Sequence, residues 1–136
     1  MTIAEALSGR LAHHPEVAFA VLFGSRATGS PRPDSDLDVG VLFAEDLSPA
    51  QRVLFRRRLA AELEELGEVD VVDLDEAPPL LAHRALMGTR LVEREPTRSL
   101  RFAVRTLAAS GDEQHWRRIA AEARRRRLRE GRFGRP

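Results

Sequence analysis

Two aspartates two residues apart, Asp36 and Asp38, stand at the head of an apolar run (residues 37–43) and constrain this chain more than any other feature. Side chains alternate along an extended strand, so both carboxylates point to the same side. Aspartate is depleted in strands, and two like charges held that close are costly unless a cation lies between them. Hard oxygen ligands of this kind suit Mg²⁺, which takes one or two carboxylates and completes its shell with water and phosphate oxygens. Upstream, a second apolar run (residues 17–23) ends abruptly in Gly24 and Ser25. A buried strand delivered into a glycine turn leaves backbone N–H groups turned toward an anion. One local stretch therefore offers a phosphate cradle and a divalent-metal site. The bland alternative, a solvated aspartate pair beside an ordinary turn, leaves the repulsion unanswered.

The surrounding pattern alternates helices and strands. Thr2 caps a predicted helix over 3–13 with Ile3, Leu7 and Leu11 on one face, and Pro15 ends it. Residues 17–23 read as a buried strand. Residues 25–28 read as a helical turn whose N-terminus would face the phosphate site. Ser30 to Asp34, with Pro31 and Pro33, read as a loop. Residues 37–43 read as a strand, apolar on both parities beyond Asp38 and so central in a sheet. Ser48 and Pro49 start a helix over 49–66 with Phe55, Leu59, Leu63 and Leu66 inward, and Gly67 ends it. A third strand over 68–74, a short helix over 79–87 and a fourth, edge strand over 90–93 follow. From Pro96 the chain reads as helix, with Leu100, Val104, Leu107 and Ala108 sharing a face, and an Arg-rich helix is predicted over 113–128. The alternation predicts an α/β layered domain.

A chain of 136 residues is one domain by size, with little room for a separate substrate domain. It contains no Cys, which excludes disulfides and thiolate zinc sites, and His13, His14, His83 and His115 form no ligand-spaced cluster. With no 18-residue apolar run and no signal-peptide layout, no membrane association is expected, and the cytoplasm is the expected compartment. The net charge of +1 hides an asymmetry: residues 117–136 hold nine Arg against Glu122 and Glu130, while the remainder has thirteen Arg against nineteen acids. Every one of the 22 basic residues is Arg, which excludes a catalytic lysine. Trp116 and the Arg run at 124–127 offer a footprint for nucleic acid or an acidic partner, and equally read as a solvated helix end.

Gly24-Ser25, ten intervening residues and Asp36-Leu37-Asp38 together resemble the signature of the polymerase-beta-like nucleotidyltransferase superfamily. More narrowly, the short chain resembles the minimal nucleotidyltransferases, antitoxin partners of HEPN-domain toxins. The resemblance implies an α+β fold: a small mixed sheet flanked by helices over residues 1–110, with 111–136 an Arg-rich helical extension. It implies that Asp36 and Asp38 bind two Mg²⁺ ions holding the triphosphate of ATP. It implies that Gly24 and Ser25, with Arg26 in reach, cradle the phosphates; Arg32 is a weaker candidate. A third carboxylate is expected on the neighbouring strand among Glu68, Asp70 and Asp73. The acid near the head of that strand matches Asp70, which is preferred to Asp73 and would also draw the proton from the attacking hydroxyl. The implied activity is transfer of AMP to a tyrosine of a HEPN toxin. A non-catalytic toxin-binding module and a small-molecule enzyme of the antibiotic-modifying kind are the alternatives.

Overall fold

The computed structural model describes residues 1–24, 37–109, 121–122, 124–126 and 128–129. Within them, four strands form one sheet: β1 (Val17–Phe23), β2 (Leu37–Phe43), β3 (Val69–Asp73) and β4 (Thr89–Glu93), in the order β3-β2-β1-β4. β1 runs antiparallel to both β2 and β4, whereas β2 and β3 are parallel, so the sheet is mixed. A parallel pair needs a crossover, and α2 (Pro49–Leu63) supplies it. β2 sits between β3 and β1 and β4 lies at an edge, both as the sequence predicts.

Every residue of β1 is buried, because helices cover both faces of the sheet. On one face Leu22, Val39, Val41 and Phe43 pack with Leu7 and Leu11 of α1 (Ile3–Leu11) and Leu59 and Leu63 of α2. On the other, Phe19, Val21, Phe23 and Leu42 pack with Ala82 and Ala85 of α3 (Pro79–Leu86) and Phe102 of α4 (Pro96–Ala109). The caps follow the predicted chemistry. The Thr2 hydroxyl accepts from the Glu5 N–H at 3.1 Å. Ser48 and Gln51 form a reciprocal capping box, and Pro49 opens α2. A single 3₁₀ turn (Glu64–Leu66) tightens the end of α2 before Gly67, whose φ of 138° no other residue would adopt without strain.

The face shared by Leu100, Val104 and Leu107 on α4 points to solvent; these residues are 63%, 60% and 53% exposed. The inward face instead carries Arg98, Ser99, Phe102 and Thr106. The buried guanidinium of Arg98 explains the orientation. It donates to the Phe43 carbonyl through Nε (3.1 Å) and Nη2 (2.9 Å), and to Asp75 through Nη2 at 2.6 Å. Arg105 donates to the other oxygen of Asp75 at 2.9 Å, and Arg101 contacts Glu45. This ionic seam pins α4 to the end of β2 and the turn after β3. The described residues beyond 120 are helical, and Arg124, Arg125 and Arg126 are exposed.

Candidate active site

The sheet topology gathers three of the predicted residues at one end. β1 ends where β2 begins, and Phe23 pairs with Asp38 in the antiparallel register. β3 begins at the same end because it runs parallel to β2, and there Asp38 pairs directly with Asp70. Adjacent strands lie about 4.8 Å apart, so the two residues are immediate neighbours across the ladder. They share a face. Leu37, Val39 and Val41 of β2 turn toward α1 and α2, which leaves Asp38 on the side of α3 and α4, and Asp70 follows the same parity.

Gly24 closes the group. Its φ of 91° belongs to the left-handed region that glycine tolerates. A Cβ placed there would collide with the Asp38 carboxylate oxygen Oδ2 and lie 3.2 Å from its carboxyl carbon. Gly24 therefore sits against the Asp38 carboxylate, in a space that any side chain at position 24 would fill.

Asp73 has a different environment. It points toward α2, where Arg52 Nε donates to it at 3.0 Å and the Asp75 N–H donates at 3.0 Å. Arg52 also donates to Glu76 at 2.9 Å. Glu68 precedes β3, and its carbonyl accepts from the Leu37 N–H at 2.7 Å. Of the three acids considered on this strand, Asp70 is the one aligned with Asp38. It is exposed, at the outer side of an edge strand, whereas Asp38 is half-buried. Asp36, Ser25, Arg26 and Arg32 lie outside the described residues, as do Trp116 and Arg127. Among the described residues, no group of three His, Cys, Asp or Glu is placed to hold a metal ion; the pair is Asp38 and Asp70.

Two residues near the site carry no motif. Arg52 neutralises Asp73 on the opposite face of β3, and Arg56, one turn along α2, lines a groove that also contains Asp70. The i, i+4 spacing of Arg52 and Arg56 was the available signal, but it fits any solvated helix face. Asp75 is held below the usual carboxylate range. Burial works against its ionisation, and the hydrogen bonds and charges of Arg98 and then Arg105 outweigh that.

Residues 5–97 match the family model described as Polymerase beta, Nucleotidyltransferase. The chain belongs to that nucleotidyltransferase family. It is 33% identical over 95 residues to the protein adenylyltransferase MntA of Shewanella oneidensis, a match covering 69% of this chain and 66% of that relative. The chain thus spans just under two thirds of the length of the curated relative it matches. Its fold is also similar to a chain of a toxin–antitoxin crystal structure determined with AMP-PNP, with a TM-score of 0.61 and 26% identity over 90% of this chain and 98% of that one. A chain of the MntA–HepT toxin–antitoxin structure matches with a TM-score of 0.56 and 25% identity, covering 89% of this chain and 95% of that one. Among the described residues, no helix of this nucleotidyltransferase is long and apolar enough to cross a membrane.

Proposed function

We propose that this chain is a Mg²⁺-dependent protein adenylyltransferase of the cytoplasm, which transfers AMP from ATP to a tyrosine hydroxyl of a HEPN-type toxin and so serves as its antitoxin. The relative named as a protein adenylyltransferase supports the reaction class, and the likeness to chains of toxin–antitoxin complexes supports the partner. The observation that carries the reading is the direct pairing of Asp38 with Asp70 beside the Gly24 turn. Two carboxylates opposed across adjacent strands beside a glycine turn supply the hard oxygen ligands that suit Mg²⁺ and a polyphosphate.

Asp36, Asp38 and Asp70 would hold two Mg²⁺ ions, which when bound neutralise the triphosphate and the oxygens entering and leaving phosphorus. Gly24 and Ser25 would cradle the β- and γ-phosphates, and Arg26, next in sequence, would add positive charge. Asp70 takes the proton of the tyrosyl hydroxyl as its oxygen bonds to the α-phosphorus and the bond to pyrophosphate breaks. This chain contains no Tyr, so it cannot AMPylate a tyrosine of its own, which is compatible with an acceptor on a partner. Residues 1–110 form the nucleotidyltransferase unit in this reading, and 111–136 an Arg-rich extension.

Incubation with radiolabelled ATP, Mg²⁺ and the protein encoded by the adjacent gene tests this. Label transferred to that protein by the wild type, and not by Asp38→Ala, is the expected result. Label on small molecules alone points to an antibiotic-type enzyme. Neutralisation of the toxin without label, by wild type and Asp38→Ala alike, points to a binding module.

A further inference from the structure

The end of the sheet has a direction. Across the strand order lie the Gly24 turn after β1, Asp38 on β2 and Asp70 on β3, and beyond β3 the sheet is open among the described residues. At that open edge α2 and α3 flank a groove of about 300 Å³. Its walls come from Val53 of α2, Val72 of β3, and Pro78 and Leu81 beside and within α3. Asp70 lies at its lining.

The chemistry of the groove is one-sided. Its volume sits at the lower end of the range for ligand sites, about 300–1,000 Å³, which suits one or two side chains rather than a nucleotide triphosphate. The walls are largely aliphatic. Val53 is 44% exposed, far more than a core residue requires. Two acids line the groove besides Asp70, and both are already paired: Asp73 and Glu76 each accept from Arg52. Arg56, by contrast, lines it with no carboxylate partner among the described residues. An aromatic ring fits the walls, and a carboxylate beside it answers Arg56.

We infer that this groove is the acceptor site: it takes a tyrosyl side chain of the partner protein, with an acidic residue next to it, the ring against Val53, Val72 and Leu81 and the hydroxyl presented at Asp70. The inference rests on the adenylyltransferase reading and adds the place and chemistry of its acceptor. It also fits the order of the site. Gly24 lies on the β1 side of Asp38 and the groove on the β3 side of Asp70, so a triphosphate held at Gly24 and an acceptor in the groove would approach from opposite flanks, as in-line displacement requires.

Steady-state AMP transfer to the protein encoded by the adjacent gene is compared for the wild type, Val53→Trp, Arg56→Glu and, as a control on the exposed face of α4, Val104→Trp. Val53→Trp fills the groove mouth from an exposed position, and Arg56→Glu reverses its charge. Both should raise KM for the protein acceptor at least tenfold, with kcat at saturating acceptor and affinity for Mg²⁺·AMP-PNP within twofold of wild type. Val104→Trp should leave KM unchanged. Wild-type KM in both groove variants, or a raised KM only in Val104→Trp, overturns the assignment. Should the wild type transfer no AMP at all, the adenylyltransferase reading falls by itself. The groove is then judged by methyl NMR of the full chain on adding the same partner. Shifts at Val53, Val72 and Leu81 retain it as the docking site; shifts elsewhere, or none, remove it.

Discussion

Asp70 and Asp73 are three residues apart on one strand, and their neighbours give them different work. Asp70 aligns with Asp38, while Asp73 accepts from Arg52 on the other face. Asp70→Asn removes the proton acceptor and should lower kcat for AMP transfer by roughly 10²–10⁴-fold while leaving the unfolding midpoint nearly unchanged. Asp73→Asn should do the reverse. It weakens a charge-assisted contact that is mostly shielded from water, costing about 1–3 kcal/mol in urea unfolding, with kcat retained. If Asp73→Asn abolishes transfer and Asp70→Asn does not, the roles are exchanged. Strand parity in the sequence already separates these two carboxylates, because alternation is a property of any extended segment. The partner of Asp73 was not legible. Arg52 lies 21 residues away on a helix, and nothing in a single sequence says which cation of a solvated face will turn inward.

Elements were easier to read than their orientation. The caps at Thr2, Ser48 and Pro49 act locally, so the helix starts they mark are visible in a few residues. The rotation of α4 depends on Arg98, whose partners are a carbonyl at the end of β2 and a carboxylate in the turn after β3. Apolar periodicity selects Leu100, Val104 and Leu107, yet the buried guanidinium and Phe102 set the inward face. Arg98→Ala leaves the Phe43 carbonyl and Asp75 without their buried donor and should cost about 3–5 kcal/mol of stability. The seam also carries a pH signature. The native pKa of Asp75 is depressed, so its contribution is fully present above its unfolded value of about 3.9 and is lost as pH falls through the lower native value. Urea unfolding of wild type and Asp75→Asn from pH 7 down to pH 2.5 should therefore show a gap at neutral pH that narrows in acid. A gap that stays constant across that range would mean the seam acts through packing and not through charge.

At the scale of the molecule, one sheet with helices on both faces brings segments distant in sequence to a single end. The turn after β1, the start of β2 and the start of β3 meet there, although the third is reached only after the α2 crossover. The Gly-Ser and Asp-Leu-Asp stretch is a local pattern visible in a few residues, of which the structure describes Gly24, Leu37 and Asp38. The groove beyond β3 is not, because it is built from α2, β3 and the start of α3, and no spacing rule connects them. A ligand that binds the folded site and not the unfolded chain adds its binding energy to the stability of the whole fold. At a free concentration 100 times its dissociation constant, Mg²⁺·AMP-PNP should add about 2.7 kcal/mol. For a domain of this size that raises the thermal midpoint by on the order of 10 °C. Chelating Mg²⁺ with EDTA, or replacing Asp38 by Ala, should erase the rise, each measured against its own unliganded midpoint. Scanning calorimetry with and without the nucleotide measures both. An undiminished rise in Asp38→Ala would place the triphosphate away from the paired carboxylates, and the assignment of Asp38 and Asp70 as the metal-holding pair would fail with it.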